Sequence, residues 1–166
     1  MRVTISKKQQ PNAANDEASG EVTVMQNILA VEMVKNPLLL ISRILMMVLF
    51  INFGSLKLLG YSATVGYFVH QGVPLPNVAT PIAIIMELGL GIAIAVGLFV
   101  RPLAILLGIY TLATGFLGHP FWSMTGADQF AAEINFFKNV SIMSGLFLLY
   151  ITGGGRFSLD RMFGLD

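Results

Sequence analysis

Four ionisable side chains stand inside stretches that are otherwise apolar: Arg43, Lys57, Glu87 and Lys138. Within hydrocarbon each costs about 3 kcal/mol or more, so each needs a partner or a task. Arg43 and Lys57 are fourteen residues apart, close to a whole number of helical turns, and share one helix face with Met47, Phe50 and Gly54. Glu87 is flanked at steps of four by Ala83, Gly91 and Ala95, small residues that suit burial against neighbouring helices. A carboxylate so placed needs a cation or a proton. The chemistry this allows is proton exchange at Glu87 beside Lys57 and Lys138, which would fix anionic charge. The plainer alternative is that Arg43, Lys57 and Lys138 extend to the membrane surfaces and Glu87 only pairs helices. On residue types alone both readings stand.

His119 and Trp122 fall where the third apolar run ends. A Trp at that depth is ordinarily an interfacial anchor, and a His beside Pro is ordinarily a solvated loop residue. The functional alternative makes His119, Trp122 and Asn139 ligand contacts at the mouth of a pocket, together with Arg43, Lys57 and Lys138. His70 and His119 lie in connections instead of on facing helices, which argues against a haem. The chain has no cysteine, which removes thiolate nucleophiles, Cys-ligated iron–sulfur clusters and CxxC pairs. No metal site is read either, because the nine methionines show no clustering beyond Met46-Met47. A redox role would therefore rest on a bound cofactor, with quinone the candidate, or on a partner redox protein.

The elements that must position these residues follow from composition. Charged residues make up 11% of the 166 and mean hydropathy is +0.74, against roughly 25% charged in soluble domains. Eight of the nineteen charges lie in residues 1–36 and only seven in residues 37–152. The second stretch reads as a membrane body. A net charge of +1 with dispersed basic residues excludes a nucleic-acid partner as the expectation.

Four apolar runs, near residues 38–59, 79–100, 102–118 and 134–152, each approach the roughly 20 residues that cross a bilayer as a helix. They are too long and too continuously apolar for barrel strands. The fold class expected is an all-α membrane protein, a four-transmembrane-helix bundle. Asn36-Pro37 opens the first run, Arg101-Pro102 punctuates the second and third, His119-Pro120 ends the third and Gly153-Gly154-Gly155 the fourth. In the second run Gly89, Ala93 and Gly97 recur every four residues and suggest close helix contact. Connections of about 19 and 15 residues exceed the usual length and invite function. Residues 1–36 form an N-terminal tail, largely disordered to about residue 21 with a short interfacial helix as an alternative over residues 22–34; residues 153–166 form a short C-terminal tail.

Seven of the ten Lys and Arg lie in the two tails and the second connection, and none in the first and third connections. Both termini are therefore expected in the cytoplasm. By the rise per residue, Arg43 sits roughly 8 Å from the cytoplasmic end, Glu87 about 12 Å and Lys138 about 6 Å from the outer end. Glu87, Lys57 and Lys138 then share one leaflet.

From residue 37 to residue 160 the chain resembles the DoxX family of small four-helix membrane proteins. The resemblance rests on Arg43, Gly54-Ser55-Leu56-Lys57, Gly72-Val73-Pro74, Glu87, Gly97-Leu98-Phe99-Val100-Arg101, His119-Pro120-Phe121-Trp122, Phe137-Lys138-Asn139 and Gly153-Gly154-Gly155-Arg156-Phe157-Ser158-Leu159-Asp160, in that order. It implies a subunit of a redox-linked complex in the bacterial cytoplasmic membrane, handling quinone or a small sulfur compound. A small-solute or proton permease, which would need a homo-oligomer, and a non-catalytic scaffold for a partner enzyme are the alternatives. The tail of about 36 residues is longer than the family pattern.

Overall fold

The computed structural model describes residues 13–165. These contain seven α-helices and no strand: α1 (Ala13–Leu59), α2 (Tyr61–His70), α3 (Pro76–Ile84), α4 (Leu90–Val96), α5 (Val100–Gly118), α6 (Gly126–Thr152) and α7 (Leu159–Phe163). A π-helical turn, Ile85–Gly89, joins α3 to α4, and a 3-10 turn, Phe121–Ser123, precedes α6. The fold is the expected all-α, four-span membrane protein. The spans are Thr23–Leu59, Pro76–Val96, Val100–Ser123 and Gly126–Thr152. The chain divides into two units, Met1–Asn36 and Pro37–Asp166.

In the first unit the expected disorder over residues 1–12 lies outside the described residues. From Ala13 on the chain is helical, and Pro37 stands inside α1 instead of opening a new helix. Pro37 lacks an N–H and deprives the carbonyl one turn back of its partner. In membrane helices such gaps are tolerated because neighbouring groups re-satisfy the backbone.

The second unit holds the bundle. Its core is Met47 and Phe50 from α1, Ile94 from α4, Val100, Ala104 and Leu107 from α5, and Leu146 and Leu149 from α6. Every spanning helix contributes, yet only 11% of the most apolar window of the fourth span is buried. Its apolar side chains mostly face outward, as a hydrocarbon solvent requires. The α1 face anticipated from the 43-to-57 spacing is the inward one: Arg43, Met47, Phe50 and Gly54 are buried and Lys57 is half-buried.

Helix packing departs from the expected glycine stripe. Gly89 is exposed, and Gly97 terminates α4 in a left-handed turn (φ 84°). The packed face is the row one step over, Ala83, Glu87, Gly91 and Ile94. A Cβ on Gly91 would sit 3.2 Å from the Ile51 side chain, and one on Gly54 only 2.5 Å from the Leu88 backbone nitrogen. Gly54 is therefore where α1 and the second span touch backbone to backbone.

The second and third spans turn at Gly97, Leu98 and Phe99, not at Arg101-Pro102. Pro102 falls in the first turn of α5, where its missing N–H would have had no helical partner in any case. The two long connections are also shorter than expected, because α2 occupies much of the first and α6 starts at Gly126.

At this end of the bundle the residues after α6 fold back as a staple. Asp160 accepts hydrogen bonds from Phe99 N (2.6 Å) and Val100 N (2.8 Å), capping α5 from sixty residues away. Phe99 is held in a left-handed backbone conformation (φ 48°) that a side-chain-bearing residue rarely adopts. Arg43 is fully buried here. It donates from Nε to Ala95 O (3.2 Å), from Nη2 to Phe157 O (2.7 Å) and from Nη1 to Gly154 O. Arg101 donates to Tyr150 O and Ile151 O at 3.3 and 3.2 Å, serving carbonyls that the end of α6 leaves open. No buried side-chain nitrogen or oxygen among the described residues is without a partner.

Replacing Asp160 with Ala should cost about 2 kcal/mol, the upper range for losing an N-cap, and Asp160→Asn less. Arg43→Met combined with Asp160→Ala should cost less than the sum of the singles, since both release the same segment. Thermal unfolding of the detergent-purified variants checks both; full additivity would show that Arg43 and Asp160 act separately.

Candidate functional site

At the opposite end of the bundle from the staple, Gly54 sets the geometry. Its contact with Leu88 brings Lys57, one turn further along α1, beside Glu87, the residue before Leu88. Glu87 lies in the π-helical turn, a local widening that re-aims side chains and recurs at functional sites. The two carboxylate oxygens have separate donors. Lys57 Nζ lies 2.6 Å from Oε2, and Tyr110 Oη donates to Oε1 at 2.9 Å. Side-chain exposure is 22% for Lys57 and 12% for Glu87, so this ion pair is largely withdrawn from solvent and each partner depends on the other. Lys57 Nζ also lies 5.7 Å from the ring centre of Phe53, within cation–π range.

This cluster forms part of the wall of a cavity of about 630 Å³. Phe50, Phe53 and Leu56 line it from α1, and Thr64, Tyr67 and Phe68 from α2. Tyr110, Thr111 and Thr114 of α5 face Asn135, Lys138, Asn139 and Ile142 of α6, with His119 at the end of α5. Thr111 and Thr114 donate their hydroxyl protons to Leu107 O and Thr111 O, which leaves oxygen lone pairs as acceptors. Lys138 Nζ donates to Asn135 Oδ1 at 2.6 Å. Gly115 allows α6 close approach here, since a Cβ on it would lie 3.4 Å from Asn139 Nδ2.

Of the residues singled out from sequence, the structure brings Lys57, Glu87, His119, Lys138 and Asn139 to one cavity. Two stand elsewhere. Arg43 does not line the cavity, and its guanidinium is engaged instead by backbone carbonyls in the staple. Trp122 does not line the cavity. It packs in an aromatic cluster with Phe116 (5.9 Å), Phe121 (5.2 Å) and Phe136 (5.9 Å between ring centres), the geometry expected of edge-to-face and tilted pairs. Of the two lysines offered as partners for Glu87, it is Lys57 that binds it.

Sequence reasoning missed Tyr110 and Asn135. Tyr110 carried a usable signal: aromatic residues with a polar tip favour the membrane interfaces, whereas Tyr110 falls mid-way along α5. Asn135 had only its spacing from Lys138, three residues on a helix. Among the described residues no three His, Asp or Glu side chains gather as metal ligands would. The cavity's polar groups are thus a carboxylate, two ammonium groups, an imidazole, phenols, hydroxyls and amides.

Glu87→Gln and Lys57→Met should each destabilise the protein by about 3 kcal/mol, because each strands a half-buried charge or its partner. The double variant should be more stable than the two losses summed, while Glu87→Gln with Lys138→Met should be additive. Tyr110→Phe should cost about 1 kcal/mol, the worth of one hydrogen bond to a charged group at the low end. Double-variant cycles of thermal stability in detergent measure all three; additivity of the Glu87 and Lys57 changes would refute the coupling.

Comparison with known proteins agrees with this architecture. A model of the DoxX family matches residues 38–120. Inner membrane protein YphA of Escherichia coli strain K12 is 48% identical over 124 residues, covering 75% of this chain and 89% of that protein. Inner membrane protein YqjF of the same strain is 40% identical over 126 residues, covering 74% and 89%. No solved structure matches the chain. With the family pattern spanning half its length and relatives aligned over nearly all of theirs, this chain belongs to the DoxX family of integral membrane proteins.

Proposed function

We propose that this protein is a binding subunit of a redox-linked complex in the bacterial cytoplasmic membrane, and that its cavity receives a quinone or a small oxidisable sulfur compound. The observation that carries this reading is Glu87, a carboxylate held by two donors in the wall of a cavity otherwise lined mainly by apolar and aromatic groups. In this role Glu87 exchanges protons with the ligand, while Lys57 and Tyr110 hold the carboxylate in place and stabilise the charge left behind. Lys138, Asn139 and His119 orient the ligand. Reducing a quinone to its quinol takes two electrons and two protons; in this reading the electrons come from a partner redox protein, and no thiol of this cysteine-free chain takes part.

A dead-end pocket fits better than a path across the membrane. Met47, Leu107 and Leu146, deeper in the bundle than Phe50 and Thr111, are fully buried in the core, which supports a sealed floor. The relatives are named as inner membrane proteins, and the Lys and Arg bias supports cytoplasmic termini, an orientation in which the cavity would open outward.

Two measurements test this. Lipid extracts of the detergent-purified protein should contain quinone by mass spectrometry, and a short-chain quinone should bind the parent at least about tenfold more tightly than Glu87→Gln, a difference of about 1.4 kcal/mol; no bound quinone and no saturable titration would sink the reading. For orientation, cysteines can replace Ser62, Ser123 and Met162, all exposed positions in this cysteine-free chain. In intact cells a membrane-impermeant maleimide should label the first two and spare the third. The reverse pattern would invert the topology.

A further inference from the structure

The cavity is not neutral. Its lining holds one carboxylate, Glu87, against two ammonium groups, Lys57 and Lys138. Lys57 is spent on Glu87 at 2.6 Å. Lys138 donates instead to the amide oxygen of Asn135 at 2.6 Å, a neutral partner that orients the ammonium group without cancelling its charge. Among the described residues no carboxylate lies within ion-pair distance of Lys138. Asp128 and Glu133 stand on the same helix, but neither lines the cavity. The lining therefore carries one uncompensated positive charge, with the amide of Asn139 and the imidazole of His119 as further hydrogen-bonding groups.

Around this charge the walls are apolar and aromatic, including Phe53, Leu56, Phe68 and Ile142. Beside such walls the effective dielectric falls, and a cation attracts an anion roughly four times more strongly than in bulk water. A bare inorganic ion would leave most of the 630 Å³ unfilled and the aromatic surface unused. We propose that the cavity takes an organic monoanion, a carboxylate or phenolate on an apolar body, with its charge on Lys138 and its body against the aromatic wall. This rests on the cavity being the binding site argued above and goes beyond a neutral quinone as its ligand: Lys138 is the anion-recognising residue, and Lys57 is not.

The test titrates detergent-purified full-length protein with 1-naphthoate, its neutral isostere 1-naphthamide and a short-chain quinone by calorimetry. The parent should bind 1-naphthoate at least tenfold more tightly than 1-naphthamide, with an affinity that falls as salt is raised. Lys138→Met should abolish that preference and Lys138→Arg should keep it. Equal binding of the two naphthyl compounds by the parent overturns the proposal whatever the variants do, as does a preference that survives Lys138→Met. If the quinone saturates the site and 1-naphthoate does not, the anion proposal fails while the redox reading stands. If 1-naphthoate binds and the quinone does not, the anion proposal stands and the quinone is excluded.

Discussion

A carboxylate within a membrane-spanning helix can be kept only if the charge is met where it stands, and the Lys57 end of this bundle is organised around meeting that of Glu87. The ion pair requires α1 and the second span to approach until Gly54 touches the Leu88 backbone. It coincides with a π-helical turn in the second span, and it recruits a tyrosine from the third. Three spans are thus locked in depth and rotation by one group. Non-specific packing against lipid could not do this, because apolar faces slide and rotate with little change in energy. What remains between these helices and α6 is the cavity, so the groups that fix the register also form its wall.

Much of this was legible in the residues. The four spans were visible because hydrocarbon demands long uninterrupted apolar helices, and the buried face of α1 because fourteen residues nearly complete four turns. The cost of burying charge pointed to Glu87 and Lys57 without any knowledge of contacts. Other features were hidden for physical reasons. Arg43 and Lys57 look alike on a helical wheel, but one meets backbone carbonyls and the other a carboxylate, and only the path of the distant residues 153–165 decides which. Two small-residue rows run along the second span, and spacing alone did not choose between them: the row of Ala83, Glu87 and Gly91 is buried, while Gly89 is exposed and Gly97 ends the helix. Arg101-Pro102 looked like a breaker because proline stops helices from within; in a first turn it does not.

The two ends of the bundle solve the same problem with different chemistry. At the Lys57 end a charge is met by a charge, leaving a cavity beside it. At the Arg43 end a guanidinium donates its hydrogen bonds to main-chain oxygens from α4 and from the segment after α6, with the buried Asp160 carboxylate close enough to act on its charge, and with no room to spare: a Cβ on Gly97 or Gly154 would lie 2.6 Å from Ser158. One end holds a cavity with a few polar groups set in an apolar and aromatic wall, the other is closed and close-packed. The closing Gly-Gly-Gly-Arg-Phe-Ser-Leu-Asp, one of the motifs that carry the family resemblance, belongs to the closed end.

That closure has a consequence for biogenesis. A nascent chain is made from its N-terminus, so Arg43 and the Phe99 and Val100 amides enter the bilayer long before Gly154, Phe157 and Asp160 leave the ribosome. Until then a guanidinium and a helix start lack the partners that make them tolerable. A later-made segment thus completes helices inserted earlier. A translation product that stops before residue 153 would present an arginine within the membrane without the Gly154 and Phe157 carbonyls that receive it.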